Sequence, residues 1–272
     1  KVANTANMMS MIKKLSKITN CNIQSKNGNT ALMLATAVTT KIESDELVRI
    51  LAPLTDCNIQ NNEGGQTALM IALSHSNTKS TEETVRILAS LTDCNIQNNK
   101  GQTALIIASL FSYKYSTKET VRILAPLTNC NIKDNNGYTA LIMAVQYINS
   151  HDTEENVRIL SQFTDCNIRD NVGFTALMYA TACNAENIVQ ILVQLTNCNI
   201  RDRDGKTALM HAALYSNKYS TEEVVRLLVK HTDCNIQDNY GHTALMHAAQ
   251  NSNLYSTEET VHILAPHTNC NI

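Results

Sequence analysis

The chain carries little net charge, few prolines, no long apolar run and no catalytic signature, and each shortage closes off a class of function. Lysine and arginine number 22 against 24 aspartates and glutamates, a formal charge of −2. With a pI near 6.5 there is no basic stripe to attract phosphate, which argues against a nucleic-acid partner. No run of 18 apolar residues occurs, and Lys1 does not open a charged, apolar and small-residue leader, so neither a membrane span nor a secretory signal is predicted. The glycines form neither GxGxxG nor GxxxxGK[ST], no HExxH is present, and no Ser-His-Asp order stands out. No catalysis, cofactor or small-molecule substrate is expected. The nine cysteines include no CxxC pair for zinc, and in a chain without a signal they fit a reducing intracellular compartment, the cytoplasm.

What the chain has instead is a clock. Cys-Asn-Ile begins at Cys21, Cys57, Cys94, Cys130, Cys166, Cys198, Cys234 and Cys270, in steps of 36, 37, 36, 36, 32, 36 and 36 residues. Thr-Ala-Leu keeps the same time from Thr30, Thr67, Thr103, Thr139, Thr175, Thr207 and Thr243, each two residues after a glycine, and only Gly64 is left outside that column. A period between 20 and 50 residues predicts stacked small repeats rather than separate globular domains.

One repeat, from Gly101, shows the parts. "TALIIASL" predicts helix one, with Ala104 and Ala108 one turn apart on a face that lets a neighbouring helix approach closely. "STKETVRILAPL" predicts helix two, opened by a capping box of Ser116 and Glu119. Ser80/Glu83, Asp152/Glu155, Ser220/Glu223 and Ser256/Glu259 repeat that device. Pro53, Pro126 and Pro266 stand where the missing N–H limits helix two, and the Asn- and Asp-rich "TDCNIQNNKG" predicts an extended segment running into a tight turn.

These residues resemble the ankyrin repeat family, whose unit of about 33 residues joins a β-turn to two helices around Thr-Pro-Leu-His-x-Ala. The likeness rests on Gly-x-Thr-Ala-Leu, on Ala35, Ala72, Ala108, Ala144, Ala180, Ala212 and Ala248, and on Asp/Asn-Cys-Asn, with Cys in the place of the family's usual Val. The family's Pro is Ala here and its His is Met or Ile, so the Thr-to-His bond of the family pattern cannot form. Six repeats carry four extra residues between turn and helix-two valine, a style resembling the ankyrin arrays of giant DNA viruses and protists. The resemblance implies an all-α solenoid of stacked helix-turn-helix units with β-turn or hairpin fingers and a concave binding groove. Residues 1–27 are expected to be a partial unit, with helix two over about Met9 to Thr19, and 28–272 an array of seven units, that at 173–204 shorter. Lys13, Lys14 and Lys17 would cover the front of the stack, Val261, Ile263 and Leu264 lack a covering unit behind them, and the natural protein is expected to continue beyond Ile272.

The candidate chemistry divides cleanly. Eight of the nine cysteines occupy one column and are expected to be small buried hydrophobes; Cys183, outside it, is the thiol to test for reactivity. Six of the eight histidines fall in the last 62 residues, and His211 and His247 share a column one repeat apart, but nothing in the pattern assigns a metal. The Glu pairs sit at helix starts, where the dipole favours negative charge.

Binding is expected at the position just after the turn glycine, which changes from repeat to repeat through Gln66, Gln102, Tyr138, Phe174, Lys206 and His242, with Tyr240 just before Gly241. Phe111, Tyr147 and Tyr215, ten residues after the glycine, extend the set, and aromatic residues are favoured anchors in interfaces. Tyr115, Tyr219 and Tyr255, directly before the cap serines, are expected hydrophobic staples. The resemblance implies that such fingertips and the exposed side of helix one grip a protein. The competing readings are a recruiting arm of a larger adaptor or signalling protein, a groove for an oligonucleotide or small ligand, and a mechanical spacer.

Overall fold

In the computed structural model the described residues are Lys14, 20–37, 41–74, 82–110, 118–147, 153–215, 222–251 and 258–269. Among them lie fourteen α-helices and no strand. The chain divides into two compact halves, Lys1–Asn135 and Asn136–Ile272. In the first half α1 (Ala31–Thr36), α3 (Ala68–Ser74) and α5 (Ala104–Leu110) are the first helices of successive repeats, and α2 (Lys41–Leu51), α4 (Glu82–Ala89) and α6 (Lys118–Leu124) the second. In the second half α7 (Ala140–Gln146), α9 (Ala176–Ala182), α11 (Ala208–Tyr215) and α13 (Ala244–Asn251) alternate with α8 (Thr153–Leu160), α10 (Glu186–Leu192), α12 (Glu222–Val229) and α14 (Glu258–Leu264).

Within each half a first helix packs on its own second helix and on the first helix of the next repeat, while second helices form a parallel row of their own. Helix one is enclosed by these neighbours, so it is apolar nearly all round: Ala104, Leu105, Ile106, Ile107 and Ala108 are all buried. Its start is fixed by the threonine of Thr-Ala-Leu, whose Oγ1 accepts the N–H three residues on, as Thr103 does from Ile106 at 3.3 Å. The cap survives the loss of the family histidine because it needs only that backbone donor. Helix two is amphipathic, burying Val85, Leu88 and Ala89 and exposing Arg86. The glutamate at its start pairs with the arginine of the preceding second helix: Arg49 with Glu83 at 3.0 Å, Arg86 with Glu119, and Arg226 with Glu259.

The prolines act one step later than a simple stop. Pro53, Pro126 and Pro266 lie inside short 3-10 turns, Ala52–Leu54, Ala125–Leu127 and Ala265–His267, which tighten the end of helix two. The cap serines Ser80, Ser116, Ser220 and Ser256, with Asp152, fall outside the described residues, as do the staple tyrosines and, Lys14 excepted, the helix expected over Met9 to Thr19. Val261 is half-buried and Ile263 and Leu264 are buried.

Candidate functional site

The finger of each repeat is a closed turn. Asn98 N–H donates to Gln102 O at 2.9 Å, and Gly101 takes φ +73° in the left-handed region, where a side chain is strained. The finger with the additional Gly64 closes one residue wider, from Asn61 N–H to Gln66 O at 3.0 Å, which accounts for the single step of 37. Successive fingers within a half are riveted twice. The backbone joins them, as in Asn99 N–H to Gly64 O and Asn239 N–H to Asp204 O. The asparagine of Cys-Asn-Ile joins them again: Asn58 Oδ1 accepts the Asp93 N–H, and Asn199 Oδ1 the Asp233 N–H, at 2.7 and 2.8 Å.

The cysteine beside that asparagine is structural. Cys57, Cys94, Cys130, Cys166, Cys198 and Cys234 are buried free thiols whose Sγ–H points at backbone carbonyls, as Cys57 does to Ala52 O at 3.6 Å. Burial, aided by the neighbouring aspartate, pushes the Cys57 and Cys94 thiols up to about 11. Cys183 is exposed, yet desolvation pushes its thiol up as well, so the electropositive setting of a reactive cysteine is missing there.

The base of each finger reaches back to helix one, a link that sequence reasoning missed. Asp170 Oδ1 accepts the N–H groups of Val172 and Phe174, and its Oδ2 accepts the Tyr179 hydroxyl at 2.7 Å. Asp202 does the same with Asp204, Lys206 and the His211 Nε2 at 2.8 Å, and Asp238 with Tyr240, His242 and the His247 Nε2 at 2.7 Å. Where the helix-one residue is Ile71 or Ile107 the finger base is the neutral Asn61 or Asn98, since an anion buried there would lack that donor. Asp134 departs from this rule, because Met143 supplies no donor from the equivalent place. The signal lay in the sixth residue after each turn glycine, a column that turns polar only at Tyr179, His211 and His247.

Burial pushes the Asp202 carboxyl up, but hydrogen bonds from His211 and from the Lys206 and Asp204 N–H groups outweigh it and hold the group below its usual range. Burial likewise pushes the Asp238 carboxyl up and is outweighed by the His242 N–H, His247 and the Tyr240 N–H. His247 is lowered, by burial first, against the opposing pull of Asp238. Tyr179 is raised by burial and by its bonds to Asp170 and Tyr138.

Around these links the expected fingertip residues gather in the second half. Tyr138 meets Tyr179 edge-on at 6.2 Å between centroids, Phe174 lies 5.2 Å from Tyr179 and 4.7 Å from His211, and His242 stands edge-on to His247 at 5.3 Å. The Nδ1 of His211, whose ring lies against Phe174, is buried without a hydrogen-bond partner among the described residues. Tyr138, Phe174, Lys206 and His242 are half-buried, whereas Tyr240 is 76% exposed and Tyr147 is exposed. In the first half Gln66 and Gln102 are half-buried. Phe111 and the Tyr215 side chain lie outside the described residues.

The sequence profile described as Ankyrin repeats (3 copies) matches residues 2–91, 76–168, 112–202, 150–221 and 194–272. This chain belongs to the ankyrin repeat family. Among solved structures it is similar to the ankyrin repeat domain of Bcl-3, described as a unique member of the IkappaB protein family, with a TM-score of 0.70 and 23% identity over 88% of this chain and 100% of that one. No curated protein matches. Ankyrin repeats are in general protein–protein interaction modules rather than catalysts. Among the described residues no helix is long and apolar enough to cross a membrane.

Proposed function

We propose that this ankyrin array binds a protein partner through the fingertips and the few part-exposed positions of helix one, such as Tyr179, and that in the second half the anchors are Tyr138, Phe174 and Tyr240. One observation carries the reading: the fingertip residues Tyr138 and Phe174, both half-buried, pack on Tyr179 of helix one as a preformed aromatic cluster, and Tyr240 is exposed on its own finger. Rings already held against one another and against Asp-anchored helix residues lose little rotamer freedom on binding, and that preorganisation favours affinity. The partner is a protein surface able to stack on rings and to offer acceptors to imidazole. Balanced overall charge makes nucleic acid the weaker alternative.

The test is affinity capture from lysate with the parent chain and a Tyr138→Ala, Phe174→Ala, Tyr240→Ala variant whose helicity matches by circular dichroism. A protein retained by the parent and reduced at least about tenfold by the variant is expected, since two or three hot-spot truncations cost more than about 1.4 kcal/mol together. Equal capture by both would move the site off these fingers, in favour of the recruiting-arm or spacer reading.

A further inference from the structure

Three potential ligands of one ion meet at the finger of the last histidine-bearing repeat. An oxygen of Asp238 and ring nitrogens of His242 and His247 all lie within 4.8 Å of one another. They arrive from three separate attachments: Asp238 from the finger base, His242 from the residue after the turn glycine, and His247 from α13. We propose that Asp238, His242 and His247 form a binding site for a divalent transition-metal ion, zinc by the chemistry of its donors, with one carboxylate oxygen and two imidazole nitrogens as ligands.

The donor set suits the ion. Two imidazoles and a carboxylate are ordinary ligands for zinc, at about 2.0 to 2.2 Å, and place neighbouring donor atoms roughly 3.3 to 3.5 Å apart around a tetrahedron. The Asp238 Oδ2 and His247 Nε2 stand 2.7 Å apart, so the ion enters by displacing the shared proton and widening that pair by under about 1 Å. The second oxygen of Asp238 is already held by the N–H groups of Tyr240 and His242, each at 2.9 Å. That is the outer support that orients a ligating carboxylate. Asp238 is fully buried and His247 is 7% exposed, while His242 is half-buried. The ring that completes the set is therefore also the one a solvent-borne ion meets first.

The neighbouring repeats supply the internal comparison. An Asp–His link recurs at Asp202 and His211, and an Asp–Tyr link at Asp170 and Tyr179, so such a pair is explained by the anchoring of a finger to its helix. The third ligand is not. At the place of His242 the other two fingers carry Lys206, an ammonium, and Phe174, which has no donor. Among the described residues, this is the group of three that satisfies the distance requirement. The Lys206 ammonium, whose field reaches His247, has its Nζ paired with Asp204 at 3.3 Å.

The experiment is titration of the metal-stripped chain with zinc chloride by isothermal calorimetry, in a Cys183→Ser background that removes the exposed thiol. The decisive variant is His242→Lys, which installs the residue Lys206 already occupies in the equivalent finger; His242→Ala is the second. The expected result is one equivalent bound by the parent, weakened at least about tenfold in both variants, with a zinc-dependent rise in melting temperature seen in the parent alone. Lys206→His, which completes the set with Asp202 and His211, is expected to raise the stoichiometry to two. No zinc binding by the parent, or binding unchanged in both His242 variants, would overturn the site. Because no partner protein takes part, either outcome is independent of the fingertip reading.

Discussion

At the residue scale, the repeated glycine answers to two separate constraints that substitution can pull apart. Gly101 has φ +73°, and a Cβ there would stand 2.5 Å from Asn135 Oδ1 and 2.8 Å from the Asn135 N. Gly241 has φ +82° but nothing within 4 Å of the same point. Left-handed strain alone costs about 1 to 2 kcal/mol. Gly241→Ala is expected to lose about that much, whereas Gly101→Ala loses several kcal/mol because the next finger must also move. Thermal denaturation of the two variants measures the difference; equal losses would mean that the clash is relieved at no cost. The glycine column and its turns were legible in the sequence because a fixed backbone need admits a single residue type. The cysteine column was legible as packing because the same small side chain recurs at one place in every repeat, and Cys57 and Cys94 are buried there.

At the scale of the element, the finger and helix one behave as one body because an aspartate bonds both. The Asp202 carboxyl is held below its ordinary value of 3.8 by His211 and two backbone N–H groups despite its burial. A group whose folded value is depressed contributes stability that is fully present above 3.8 and lost as pH falls through the lower folded value. Asp202→Asn is therefore expected to lower stability at pH 7 by about 1 to 3 kcal/mol. It should also flatten the decline of melting temperature below pH 4, so that the gap between parent and variant closes in acid. A gap independent of pH would assign the loss to packing instead. This link was not legible beforehand, although every residue in it was visible. Asp238 and His247 are nine positions apart in sequence and meet only because the finger folds back onto α13, and a column that reads Leu34, Ile71, Ile107, Met143, Tyr179, His211, His247 conceals its polar members behind its apolar ones. The helix pairs were legible because their apolar spacing acts locally, and a local pattern needs no knowledge of the closure; the threonine caps of helix one were not read from it.

At the scale of the whole chain, a repeat is stabilised by its own helix pair and by its neighbours, so stability is close to a sum of nearest-neighbour terms. Within each half the paired rivets between fingers, the helix rows and the Arg–Glu steps join one repeat to the next, and Leu105 and Leu209, both fully buried, are each the leucine of Thr-Ala-Leu in a repeat of one half. Leu105→Ala leaves a cavity worth about 2 to 5 kcal/mol. Hydrogen exchange on that variant is expected to show protection lost across α3 to α6 while amides of α11 to α14 keep the parent's rates, and Leu209→Ala should show the reverse. A uniform loss across both halves in either variant would mean that the array unfolds as one cooperative body.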